Sequence, residues 1–285
     1  MTVTPIDENA RIGQVHLKVS DINQSLEFYT SFLGLKIVKQ ADHIVFLSPD
    51  GKMPYLVALS TAKPVDLTQR AGLYHFAILL PQRKNLAEFL SHLLKHKDTI
   101  KIDGFSDHLV SEAIYIRDPD NIGIEIYRDR IPSEWKWIEN QVVMAIEPLD
   151  MEGLLAESTK SWSGFPSDTS IGHVHLHVSN LANAKKFYSE ILGLTTTASM
   201  KGALFFAAGK YHHHIATNTW LGEDISQAST EFAGLDYFTI QFSSKDKLND
   251  MIRKLESSKI SVKSLEDGSF SIFDEDKISI HLTVK

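Results

Sequence analysis

The chain has 285 residues, 43% of them hydrophobic and 23% charged, with a formal net charge of -7. This length can bury a substantial core as one large or two medium domains, and the acidic balance argues against a nucleic-acid partner, which requires a basic face for the phosphates. No apolar run approaches the ~20 residues needed to cross a bilayer, and the absence of cysteine excludes disulfides, thiolate nucleophiles and metal–thiolate sites together.

The first residues carry neither a basic n-region nor an apolar h-region, so no signal peptide is expected and a cytoplasmic address is. From Val15 to Val19 apolar and polar residues alternate, the period of a half-buried strand. Ser20-Asp21 is a polar cap, and the spacing behind it predicts an amphipathic helix over Leu26 to Leu33, ended by Gly34. Short strands follow, the last over Tyr55 to Ser60. A second unit opens at Gly72-Leu73, with Tyr74-His75-Phe76-Ala77 as its first strand and Ile122 to Tyr127 as its last. Residues 129–169 fit no such unit. Trp135, Trp137 and a helical stretch from Asp150 to Glu157 suggest a structural crossover packed on the surface.

The third unit repeats the first. His16-Leu17-Lys18-Val19-Ser20 recurs as His175-Leu176-His177-Val178-Ser179, Phe28-Tyr29 as Phe187-Tyr188, and Leu33-Gly34-Leu35 as Leu192-Gly193-Leu194. Asn180 caps its helix, expected over Ala184 to Leu192, and Ile215 to Thr219 closes it. Gly234-Leu235 opens a fourth unit that ends with Ile278 to Val284. The reading is four βαβββ modules, at 11–61, 71–128, 170–220 and 233–285. Modules 1 and 2 (1–128) and modules 3 and 4 (170–285) form two domains, joined by the 129–169 crossover. A lone module leaves one sheet face uncovered, so paired modules forming two half-open barrels are expected, an α+β architecture.

Six of the 13 histidines lie in two short stretches, GHVHLHV (172–178) and YHHHI (211–215). Without cysteine, imidazole and carboxylate are the strong ligands left for a transition metal. Glu125, between Ile124 and Ile126, is costly unless paired or metal-bound. His173, His175 and His177 share one strand face by the period of two.

This module grammar resembles the vicinal oxygen chelate superfamily, which holds glyoxalase I, fosfomycin-resistance proteins and type I extradiol dioxygenases. In that superfamily metal ligands sit on the first and last strands of modules. The matching first-strand positions are Gln14, His75, His173 and Tyr237; the last-strand positions are Tyr55, Glu125, His213 and His281. Module 2 also resembles the extradiol dioxygenase signature: His108, five residues, Ile114-Tyr115, two residues, Asp118-Pro119, then Glu125. It departs at Ser106, and at Asn121 where Gly or Pro is usual; Asn tolerates the left-handed turn. Tyr211-His212-His213-His214-Ile215-Ala216 is similar to the histidine pair of the same enzymes, and the resemblance is greatest to catechol 2,3-dioxygenases.

The resemblance implies Fe(II) held by His75, Glu125 and His173, with His175 as the alternative third ligand. It implies His213 as acid/base, and His108 and Tyr115 as hydrogen-bond donors to substrate oxygens. Two imidazoles and one carboxylate on one face leave positions open for a diol and O2. The expected partners are a small aromatic diol and O2, with no nucleic acid or membrane; a homo-oligomer is compatible. For one iron site to exist, modules 2 and 3 must share a barrel and modules 1 and 4 the other, a degenerate copy carrying Gln14, Tyr55, Tyr237 and His281. Two rivals stand beside this: a glyoxalase-like metal isomerase using Gln14, His75 and Glu125 with modules 1 and 2 paired, and a metal-free small-molecule binder of the same fold. His16, His43, His92, His96 and His281 are expected to be structural or surface residues.

Overall fold

The computed structural model describes residues 4–65 and 68–285. Module 1 supplies β1 (Arg11–Val19), β2 (Lys36–Ala41), β3 (Ile44–Ser48) and β4 (Val57–Thr61). The Asp21 carboxylate accepts from the backbone N–H groups of Asn23 and Gln24 and starts α1 (Ile22–Leu26). The chain then widens into a π-helical turn over Glu27–Phe32, where Leu33 N–H donates to Phe28 O at 2.9 Å. The helix thus begins at Ile22 rather than Leu26, and its second half is not α. Apolar spacing marks the buried face, whereas the cap sets the start. The wider turn buries Phe28 and Tyr29, consecutive residues, together. Gly34, at φ 87°, ends it where a Cβ would meet Gly164 Cα at 2.4 Å.

Module 2 supplies β5 (Gly72–Leu79), α2 (Arg83–Lys95), β6 (Ile102–Asp107), β7 (Ser111–Arg117) and β8 (Gly123–Asp129). The crossover contains β9 (Trp137–Ile138), β10 (Gln141–Val142) and α3 (Met151–Leu155). Module 3 repeats module 1: β11 (Ser170–His177), α4 (Leu181–Lys185) capped by Asn180, a π turn over Lys186–Ile191, then β12 (Thr195–Met200), β13 (Ala203–Ala207) and β14 (Ile215–Asn218). Module 4 gives β15 (Gly234–Phe242), α5 (Lys245–Ser257), β16 (Lys263–Ser264), β17 (Phe270–Phe273) and β18 (Ser279–Val284).

Two eight-stranded sheets result. One has the order β16-β17-β18-β15-β1-β4-β3-β2 and joins modules 4 and 1; the other, β12-β13-β14-β11-β5-β8-β7-β6, joins modules 3 and 2. The joints are antiparallel, β1 with β15 and β11 with β5, the latter pairing Val174 with Phe76 and His175 with His75. The nested pairing expected from the ligand set is therefore the one formed. Gln14 lies in the other sheet, where its Oε1 accepts from Thr239 Oγ1 at 3.0 Å, so the glyoxalase-like set is not assembled.

Alternation along the strands builds the core. Val15, Leu17 and Val19 of β1 and Val174 and Leu176 of β11 are fully buried in one apolar cluster with Phe76, Ile124 and Phe238, and β1 packs against β11. The histidines of β11 and β5 occupy the opposite face. Two matched buttons tie the sheets together: Tyr29 Oη donates to Asp118 Oδ2 at 3.0 Å and Tyr188 Oη to Asp274 Oδ2 at 2.8 Å. Each aspartate also accepts two backbone N–H bonds, from Asp120 and Ile122 or from Asp276 and Ile278.

Candidate active site

The register of β5, β8 and β11 converges three side chains. Ala77 pairs with Glu125 across β5–β8, and with His173 across β5–β11. Glu125 Oε2 lies 3.0 Å from His75 Nε2 and 3.0 Å from His173 Nε2. All three residues are buried, and one ligand atom from each lies within 4.8 Å of the others. Among the described residues no other group of three such side chains converges in this way. Burial alone would raise the Glu125 carboxyl, but His173 and His75 outweigh it and hold the group well below the usual carboxylate range. Donors this close are spaced as around one cation bonded at ~2.0–2.2 Å. His173 Nδ1 is buried and unpartnered. Two imidazoles with one carboxylate fit a non-haem iron-type centre.

The alternative third ligand is otherwise engaged. His175 Nε2 bonds Asn218 Nδ2 at 2.9 Å, and Asn218 Oδ1 holds His177 Nδ1 at 2.8 Å. The His175 ring is still 5.0 Å from that of His75.

The remaining expected site residues surround this cluster. His108 Nδ1–H donates to Ala145 O at 2.7 Å, which leaves its Nε2 to accept from Tyr115 Oη, also at 2.7 Å. Burial, and then Glu125, push the Tyr115 phenol well above its ordinary value. The His213 ring centroid is 4.1 Å from that of His173, and Phe205 meets its other side edge-on at 5.1 Å. Burial, reinforced by neighbouring histidines, holds His213 neutral, well below its ordinary pKa.

Behind His213 stands a chain that periodicity did not single out. Asp129 Oδ1 accepts from His212 Nε2–H at 2.9 Å, and on the other side of the ring His212 Nδ1 lies 2.8 Å from His213 Nδ1. His213 Nδ1–H donates to it, and His213 Nε2 carries the free lone pair. Tyr211 Oη donates to Asp129 Oδ2 at 2.8 Å and meets Tyr127 Oη at 2.9 Å. One signal could have found Asp129: Glu125, Tyr127 and Asp129 share a face of β8 by the period of two. His212 lies in the turn before β14, where alternation has no force.

His75, Glu125, His173, His108, Tyr115 and His213 line a cavity of about 390 Å³. The sheet curls around it, so strands from both its edges, β6 with Phe105 and β12 with Met200, reach the same space. Its roof is a correction to the surface role expected for the crossover, because Met144 and Ile146 line the cavity and Ala145 holds His108. The matching face of the other sheet is filled. Tyr237 stacks between His16 and His281, with ring centroids 4.0 and 3.6 Å away, and His16 Nε2 bonds Tyr55 Oη at 2.7 Å.

The family model for the Glyoxalase/Bleomycin resistance protein/Dioxygenase superfamily matches residues 11–126 and 170–276. The chain belongs to this superfamily. It is 40% identical to the catechol-2,3-dioxygenase of Bacillus subtilis (strain 168), over 95% of this chain and 96% of that protein. Within the superfamily it is accordingly an enzyme of the extradiol dioxygenase kind. Solved structures share the fold at low identity. The cppA protein of Streptococcus pneumoniae TIGR4 aligns with TM-score 0.60 and 15% identity over 100% of both chains. A glyoxalase I variant from Zea mays aligns with TM-score 0.56 and 17% identity, over 96% of this chain and 92% of that one. No helix among the described residues is long and apolar enough to cross a membrane.

Proposed function

We propose that the protein is an Fe(II)-dependent enzyme that opens a catechol-type diol with O2 by extradiol cleavage, and that His75, Glu125 and His173 hold the metal. The observation that carries this is the placement of Glu125 Oε2 3.0 Å from both Nε2 atoms, in a cavity that also presents His108, Tyr115 and His213. When bound there, Fe(II) supplies a redox-active centre with open positions at which both diol oxygens and O2 can meet.

The protein's own groups move and hold protons. His213 Nε2, the free lone pair of the Asp129–His212–His213 chain, takes a proton from one diol hydroxyl and returns it later in turnover to an oxygen derived from O2. His212 accepts from His213 Nδ1–H and is itself fixed by the Asp129 carboxylate, so the tautomer is set before substrate arrives. Tyr115 O–H, held by His108 Nε2, is placed to turn to a substrate oxygen where negative charge develops, and His108 acts by orienting that phenol rather than as a donor itself. The His108 tautomer that this requires is fixed by Ala145 O. Overall, the ring C–C bond beside one hydroxyl-bearing carbon breaks, both atoms of O2 enter the product, and the diol supplies the electrons.

The test is direct. The protein is loaded with Fe(II) under anaerobic conditions, mixed with catechol and then with O2, while absorbance and O2 uptake are followed. A yellow ring-opened product with matching O2 uptake is expected. Iron-loaded protein that consumes no O2 and stays colourless overturns the proposal. Glu125→Ala should lose the stoichiometric iron that the wild type keeps through desalting; equal iron contents would remove Glu125 from the ligand set.

A further inference from the structure

The reacting end of the cavity is polar, and most of its other walls are apolar. Phe105, Val110, Met200 and Phe205 form the sides, and Met144 and Ile146 of the crossover complete the roof. No lysine is among the residues lining the space. The one arginine, Arg117, is ion-paired with Asp103 and donates to Asn121 O at 3.0 Å. A carboxylate carried into this end would lose its water and find no free cation, a costly burial. An uncharged alkyl group would find contacts. At about 390 Å³ the cavity lies near the lower end of ligand sites, ~300–1,000 Å³, which suits one ring with a short substituent.

The roof is fixed to the catalytic strands. Asp107 and Glu147 exchange a pair of backbone hydrogen bonds, each 2.9 Å, and Ala145 N–H donates to His108 O at 3.3 Å. Met144 packs with Ala198, Ala203 and Phe205 on one side and Val110 and Trp135 on the other. Ile146 stands at the mouth, 70% exposed. The segment therefore carries both the carbonyl that orients His108 and the side chains that meet whatever projects from the diol ring.

Resting on the dioxygenase reading above, we propose that the preferred substrate is a single-ring diol bearing a short uncharged apolar substituent, and that Met144 and Ile146 of the crossover determine this preference. The experiment compares 4-methylcatechol and 4-ethylcatechol with 3,4-dihydroxybenzoate and 3,4-dihydroxyphenylacetate. Both anaerobic calorimetric binding to the Fe(II) protein and kcat/KM are measured. The alkyl diols should be favoured by about 100-fold, the scale of an unpaired buried charge. Ile146→Lys, at an exposed position that the fold tolerates, should narrow that ratio about 10-fold by giving the carboxylate a partner. Met144→Ala should lower kcat/KM for the alkyl diols about 10-fold, with thermal unfolding confirming that the variant is folded. Carboxylated diols bound and turned over as well as alkyl ones would overturn the proposal, and so would an unchanged ratio in Ile146→Lys. If no diol is turned over but alkyl diols bind more tightly, the dioxygenase reading falls and the preference stands. If none binds, both fall.

Discussion

Burial keeps His213 neutral, and its tautomer is set by a hydrogen-bonded chain that ends on another strand. Its Nδ1–H is committed to His212, and His212 is committed to Asp129 at the end of β8. On the proposed assignment, truncating the imidazole removes the base but no metal ligand. His213→Ala should keep its iron and its affinity for the diol while kcat falls by about 10²–10⁴, the usual worth of a positioned acid/base. Loss of iron in this variant would make His213 a ligand instead. Asp129→Asn keeps an oxygen for His212 Nε2–H but removes the charge that favours this orientation. It should lower kcat by about 10–100-fold, as outer hydrogen-bond partners commonly do, with KM little changed. A KM rise at constant kcat would place Asp129 in substrate binding.

At the scale of elements, the site depends on strand register. His75 pairs with Gly123 where β5 meets β8, and the step of two residues that follows puts Glu125 level with Ala77. A Cβ on Gly123 would lie 2.2 Å from Tyr74 O and 3.0 Å from His75 Cβ. Neither backbone can yield without moving His75. Gly123→Ala should therefore weaken Fe(II) binding by about 10–100-fold, the range seen when support for a ligand is lost. Competition with a chelator would measure it; an unchanged affinity would show that the strand absorbs the methyl group. The π turns belong to the same scale. They place Tyr29 and Tyr188 to meet aspartates from the neighbouring module, which a regular helix of the same sequence would point elsewhere.

For the whole molecule, the filled face and the ties between the sheets set opposing pH dependences. In the filled sheet, burial lowers His16 to about 3 and His281 to about 4. A folded value below the unfolded one means that each favours the fold above about pH 6.5 and loses that contribution as pH falls through the folded value. At the ties between sheets, burial pushes Asp118 and Asp274 up to about 7. Their sign is opposite: the contribution is full below about pH 4 and is lost as pH rises through about 7. Denaturant unfolding of the metal-free protein between pH 7.5 and 4 should separate the two. His16→Gln should flatten the loss of stability on acidification, and Asp118→Asn with Asp274→Asn should steepen it. Parallel curves for all three proteins would mean that these groups titrate alike in the folded and unfolded chains.

Local pattern in the chain was enough for four modules, because alternation, caps and Gly34 and Gly193 act within a few residues. It was also enough to put His75, Glu125 and His173 on one kind of strand face, since parity is a property of the strand itself. The pairing of module 2 with module 3 was legible only through the demand that three ligands meet on one ion. No local signal joins β5 to β11, which are separated by the rest of the second module and the crossover. His212, Ala145, Met144 and Ile146 were beyond sequence periodicity for a related reason. They sit in a turn or in the crossover, where the backbone follows no period. Their roles come from what curling the sheet brings within hydrogen-bonding or van der Waals reach, and burial of the two apolar faces against each other fixes that geometry.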